Sequence, residues 1–160
     1  MKKFLIQFIA LISVIFGVLA YSTGKLPSFS STSTPSKETQ VIIKNIIIPV
    51  ELADTDEKRK KGLGGRESLA SNSGMLFVYQ KVDHFNFWMK GTKIPLDIIW
   101  IREDTIIDIT KNALPPREGQ KDEDLPIYTP KEPADKVLEV NAGFTDVNGI
   151  VIGDKIELKK

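Results

Sequence analysis

Few residues in this chain are placed to do chemistry, and two carboxylates head them. Asp97 sits between Leu96 and Ile98 in an otherwise apolar run. An acid in such a place either finds hydrogen-bond partners or has its charge suppressed by burial. Asp97 thus reads as a general acid/base or ligand-binding acid, or as a structural acid that takes loop N–H groups or pairs with Arg66 or Lys90. The structural role is the commoner fate of a buried acid. Glu139 is the second acid. With Asp97 it would complete the carboxylate pair of a metal-independent hydrolase, given the separation that glycoside hydrolysis requires. Trp88 offers different chemistry. It alternates with Phe87 and Met89, so in an extended segment it points away from both. With Asn86 and Lys90 beside it, Trp88 reads as a stacking platform for a sugar ring or a peptide side chain, or as another core aromatic.

Thr92, Asn112, Tyr128, Glu139 and Asn141 are the remaining polar candidates. Together they would line a cleft under a long loop; singly, each would make a turn or strand-end hydrogen bond. His84 follows Asp83 in a polar stretch and reads as exposed. The chain has no Cys and one His, which excludes a thiolate or His-rich metal site and a cysteine nucleophile. There is no G-x-S-x-G, P-loop or H-E-x-x-H pattern. No catalytic set, metal or cofactor is therefore expected. A formal net charge of +1 gives no field that would gather nucleic acid.

The elements that must position these residues follow from pattern. VIIKNIIIPVELA, residues 41–53, is strand material with Pro49 at an edge or bulge. A short charged helix follows, with Asp54 as its cap, Glu57 completing a capping box, Glu57 and Lys61 at ion-pair spacing, and Gly62, Gly64 and Gly65 ending it. Its charges read as a solvated surface face, with Leu63 packing inward. Strands are expected over residues 75–79, 96–101, 105–110, 137–141 and 150–158, with a hairpin turn at Glu103-Asp104 and a helical turn at residues 144–148. Residues 114–133 carry several prolines and many charges and read as a long irregular loop, the kind that is often functional. The fold class expected is α+β, mainly β: a small, partly closed β-barrel-like domain over residues 40–160 with one N-terminal surface helix.

Ahead of this domain, Lys2 and Lys3 precede FLIQFIALISVIFGVLAY, residues 4–21, a run without charge. Its length matches the roughly 17–25 residues of a membrane-spanning helix. Val18-x-Ala20 is also an acceptable cleavage pattern, so residues 1–21 read as a signal peptide or an uncleaved anchor in the cytoplasmic membrane. The two lysines favour an N-terminus inside, which exports the rest. Residues 22–39, rich in Ser and Thr with Pro27 and Pro35, read as a flexible tether reaching roughly 20–25 Å.

The stretches ADTDEKRKKGL (residues 53–63), Arg66-x-Ser68-Leu69, GMLFVY (74–79), FWMKGTKIPLDIIWI (87–101), VLEVNAG (137–143) and GIVIGDKIEL (149–158) fall in an order that resembles the domain of unknown function 192 family of bacterial and archaeal proteins. The resemblance implies a compact, mainly β domain, often behind a signal or anchor, and implies no reaction. Many relatives have Asn where this chain has Gly91, and a bulkier pair at Gly64-Gly65. Some carry two cysteines flanking the long loop, where this chain has Arg117 and Leu125, so packing must hold the loop here. Taken together, these features point to a non-catalytic extracytoplasmic module that binds an envelope glycan, a peptide or small molecule, or docks a membrane protein. The rivals are the Asp97/Glu139 hydrolase and a purely structural domain.

Overall fold

A computed structural model of the chain describes residues 39–160. The expected hydrophobic helix and almost all of the tether lie outside the described residues. Among the described residues no helix is long and apolar enough to cross a membrane.

The domain is mainly β. Seven strands, β1 (Gln40–Ile43), β2 (Ile46–Ala53), β3 (Gly74–Asp83), β4 (Leu96–Arg102), β5 (Thr105–Ala113), β6 (Ala134–Asn141) and β7 (Ile156–Lys159), form one sheet in the order β5-β4-β6-β3-β2-β1-β7. Two short helices, α1 (Asp56–Lys61) and α2 (Phe144–Val147), complete it. The sheet curls into a half-barrel. Its two ends approach where Ile106 N–H donates to Asp154 O at 2.9 Å and Ile156 N–H to Asp104 O at 2.8 Å.

The stretch 41–53 is not one strand but a hairpin. Lys44 takes φ +56°, and β1 and β2 pair antiparallel from Ile43↔Ile46 to Gln40↔Pro49. Pro49 stands where β2 changes partners: from Val50 onward β2 runs parallel to β3. A residue without an N–H fits this switch. The last strand is shorter than its apolar sequence predicts, because residues 151–155 turn around Gly153 before β7 begins. Gly74 opens β3 for a steric reason. A Cβ there would lie 2.6 Å from the carbonyl oxygen of Glu139 on β6.

Strand alternation sorts the buried residues onto two faces. The concave face holds Val41, Ile43, Ile48, Leu76, Ile99, Ile101, Leu138 and Val140, sealed by Phe144 and Ile150. The convex face of β3, β6 and β4 holds Met75, Phe77, Val137, Ile98 and Trp100. Leu63, Phe87, Met89 and Ile94 cover it from the loops. This convex layer carries the site.

Candidate functional site

The cap of α1 is Thr55 and not Asp54. The Thr55 Oγ1 accepts from Lys58 N–H at 3.3 Å. Asp54 instead pairs with Lys58 at 2.8 Å, and Asp56 with Arg59 at 2.6 Å, in place of the Glu57–Lys61 pair. Gly62 then turns the chain with φ +48°, burying Leu63 and leaving Lys60 and Lys61 over the convex face. Facing α1 is the segment 85–92. Phe87 plunges into the core, edge-on to Phe77 at 5.0 Å and to Trp100 at 5.3 Å. Met89 is buried beside it, and Trp88 between them stays 48% exposed, as alternation in an extended segment requires. Two left-handed glycines join the walls: Gly65 N–H donates to Gly91 O at 2.8 Å, with φ +78° and +68° at the two residues. Glycine suits such positions, having no Cβ to clash.

Between these walls lies a cleft of about 740 Å³. Trp88, Tyr79, Phe77 and Phe87 supply its aromatic surface, and Arg59, Lys60, Lys61 and Lys90 its basic groups, with Thr92 and Asn86 beside them. Glu139 also lines it, only 6% exposed. No described residue hydrogen-bonds or ion-pairs with its carboxyl. Every side-chain polar atom sealed from solvent among the described residues does have a partner, so the Glu139 oxygens look into the cleft. Burial alone pushes its pKa up to about 8, so at neutral pH it is mostly a carboxylic acid. Burial likewise pushes the Tyr79 phenol up to about 12. The Arg59 guanidinium, 5.0 Å from the ring centre, opposes that shift, and Glu139 adds to it.

The cations differ in commitment. Arg59 donates to Val78 O at 2.8 Å and to Asp56. Lys90 pairs with Asp122 at 2.6 Å and lies 5.2 Å from the Trp88 ring centre. Lys60 and Lys61 have no ion-pair partner among the described residues. The Lys90–Asp122 pair also answers how the long loop is held without a disulfide. It works with backbone pairing of Phe87 and Tyr128 in both directions (2.9 and 2.8 Å) and with the buried Leu125.

The other candidates fall elsewhere. Asp97 is fully buried on the concave face, opposite Val140 in the register, whereas Glu139 faces the convex layer. The two acids therefore lie on opposite sides of the sheet and share no pocket. Asp97 does not pair with Arg66 or Lys90 either. Its Oδ1 accepts from Asn112 N–H at 2.9 Å, and its Oδ2 from Thr145 N–H at 3.0 Å and Thr145 Oγ1 at 2.7 Å. Arg66 forms a two-armed pair with Glu51 at 2.5 and 2.6 Å, which holds the carboxyl below the usual glutamate range. Asn112, Tyr128 and Asn141 do not line the cleft: Asn112 gives its backbone N–H to Asp97, Tyr128 pairs through its backbone with Phe87, and the Asn141 side-chain amide donates to the carbonyls of Leu69 and Ala70 at 3.1 Å. Of the residues expected to form a cleft, Trp88, Lys90, Thr92 and Glu139 do so, with Asn86 beside Trp88. Arg59, Lys60, Lys61 and Tyr79 join them unforeseen; the only sequence signal was a run of cations ending in a glycine turn.

The exposure of Trp88 sets an expected result. Trp88→Ala should lower stability by about 1–2 kcal/mol, since half of the ring is still covered, against the roughly 3–5 kcal/mol typical of a buried aromatic. A urea melt of the variant checks this; a loss in the larger range would show that Trp88 is structural.

Comparison with known proteins bears on the family and the fold. Residues 39–158 match the DUF192 family, described as "Uncharacterized ACR". A crystal structure of a putative transcription regulator from Sinorhizobium meliloti 1021 is 34% identical, with a TM-score of 0.66, covering 76% of this chain and 92% of that one. A protein of unknown function from Novosphingobium aromaticivorans DSM 12444 is also 34% identical, with a TM-score of 0.65 and coverage of 75% and 83%. No curated protein matches.

Proposed function

The chain belongs to the domain of unknown function 192 family, and on that footing we propose that it is a non-catalytic binding module held outside the cytoplasmic membrane, with its ligand site in the cleft beside Trp88. One observation carries the reading: a half-exposed tryptophan stands over a cleft into which a buried carboxyl without a partner also looks. A self-contained structural domain has no need of either. Small-molecule sites combine apolar walls with a few polar groups of this kind. The export half of the proposal rests on the uncharged run at residues 4–21 behind two lysines. A hydrolase built on Asp97 and Glu139 loses support, since the two acids face opposite sides of the sheet. The description of the Sinorhizobium relative as a transcription regulator finds little support in a chain of net charge +1.

A thermal-shift screen of the full chain against sugars, peptides and metabolites tests the site. A ligand should raise the melting temperature in a concentration-dependent way. The shift should vanish in Trp88→Ala while that variant still unfolds cooperatively. A shift that survives in Trp88→Ala places the ligand elsewhere, and no shift across the library favours a purely structural or protein-docking role. Protease accessibility of a tag placed after Lys160 in spheroplasts tests export, and full protection there would reject it.

A further inference from the structure

The cleft's polar groups are arranged unevenly, and the unevenness narrows the chemistry of what fits. Its helical wall ends in Lys60 and Lys61, which make no direct ion pair among the described residues and act on Asp56 and Glu51 only at longer range, while Arg59 and Lys90 are already paired with Asp56 and Asp122. On the sheet, Glu139 lies opposite Met75 of β3 and Ile98 of β4, with Phe77 and Tyr79 on the same face of β3. The titratable and charged groups lining the cleft with it are Tyr79 from β3, Asp56, Arg59, Lys60 and Lys61 from α1, and Lys90 from the segment 85–92. None of them makes a hydrogen bond to its carboxyl. An ionised carboxylate on so apolar a floor would be poorly solvated, whereas a carboxylic acid can both donate and accept one hydrogen bond. Trp88 adds a half-exposed ring to the same lining, with Lys90 Nζ 5.2 Å from its centre.

We propose that the cleft takes a small anion carrying a ring: the anionic group sits at Lys60 and Lys61, the ring on Trp88, and an uncharged polar group of the ligand meets Glu139 as its carboxylic acid. The proposal rests on the binding reading of the cleft and assigns its ligand class. It makes recognition proton-linked. Glu139 must keep its proton for the ligand's polar group, and its ionisation would add a negative charge facing an anion. Affinity is therefore constant at lower pH and falls as pH rises through about 8, by up to about tenfold per pH unit for one linked proton.

The test uses the purified full chain. Its readout is tryptophan fluorescence, because Trp88 lines the cleft and the second tryptophan, Trp100, is buried in the core. The probes are 4-hydroxyphenylacetate and tyramine, alike in ring and hydroxyl but opposite in charge, with glucuronate and glucose as the corresponding sugar-ring pair. The expected result is saturable binding of at least one anion and weaker or no binding of its uncharged or cationic counterpart. Lys60→Ala/Lys61→Ala should weaken that binding about tenfold or more. Glu139→Gln should retain binding and abolish its fall between pH 7.5 and 9, since the amide keeps a donor and an acceptor without titrating. Preference for tyramine, strengthening as pH rises, would overturn the proposal, as would a pH dependence that persists in Glu139→Gln. If uncharged ligands bind at Trp88 and both anions fail, the ligand class is wrong and the cleft stands. If no probe and no member of the thermal-shift library responds at Trp88, the cleft reading fails as well.

Discussion

Replacing Asp97 by alanine is expected to lower the stability of the domain by roughly 3–5 kcal/mol, the range for removing one member of a buried charged network. The reason is local. Between Leu96 and Ile98 the pairing of β4 with β5 slips, from Leu96↔Ala113 to Ile98↔Thr110. Two residues of β5, Lys111 and Asn112, stand opposite Asp97 alone, and Asn112 takes φ +53°. A bulge of this kind leaves an N–H without a ladder partner. Asp97 Oδ1 accepts it, while Oδ2 takes both the backbone N–H and the hydroxyl of Thr145 from α2. Alanine strands both Thr145 donors in a fully buried place, and leaves the Asn112 N–H at the part-buried bulge without its acceptor. Asp97→Asn keeps the shape but turns an NH₂ toward donors and should cost somewhat less. Thr145→Val removes a single hydroxyl donor and should cost about 1 kcal/mol. Urea melts of the three variants should therefore rank Asp97→Ala, Asp97→Asn, Thr145→Val in decreasing loss. A stable Asp97→Asn that had lost ligand binding would instead make Asp97 a functional acid and overturn the structural account.

The same acid shows how far a sequence can be read. Its burial was legible from the apolar run around it, and so was a structural role. Its partners were not. Arg66 looked suitable by charge, but the bonds come from a bulge on the neighbouring strand and from a helical turn 48 residues away. Relative facing was hidden for a related reason. Asp97 and Glu139 both sit in apolar strands, and only the register Asp97↔Val140 puts them on opposite faces. A shift of one residue would have put them together. For Trp88, alternation within its own segment separated it from Phe87 and Met89 but left open which side would face the core. The hairpin at Lys44 was not legible, since β-branched residues on both sides of Lys44-Asn45 look like one strand. Lys60 and Lys61 read as a solvated face because helical charge is usually that. What brings them to a cleft is the turn at Gly62 and the facing segment, which meet only in three dimensions.

Glu139 carries the other large effect, and its sign runs opposite to that of an ion-paired acid. In the native state burial holds its pKa at about 8, against an ordinary glutamate value of 4.5 once unfolded. Between those values the native protein keeps a proton that the unfolded chain releases. Stability therefore falls as pH rises across that window, by up to about 1.4 kcal/mol per pH unit, and levels off above it. Over the whole window the loss amounts to roughly 3–5 kcal/mol. Glu139→Gln is neutral at every pH and escapes it. The variant should match wild type within about 1 kcal/mol near pH 4.5 and exceed it by roughly 3–5 kcal/mol at pH 9. Urea melts of both proteins at several pH values supply the difference. The Tyr79 phenol, pushed up to about 12, does not titrate in this range. A difference that stays flat with pH would mean that Glu139 is solvated or partnered in the folded protein. A difference that opens as pH rises would show that this chain keeps an acid at the cleft against its own stability. Such an acid, destabilising where glutamine would not be, is what the proposed ligand role of the cleft expects.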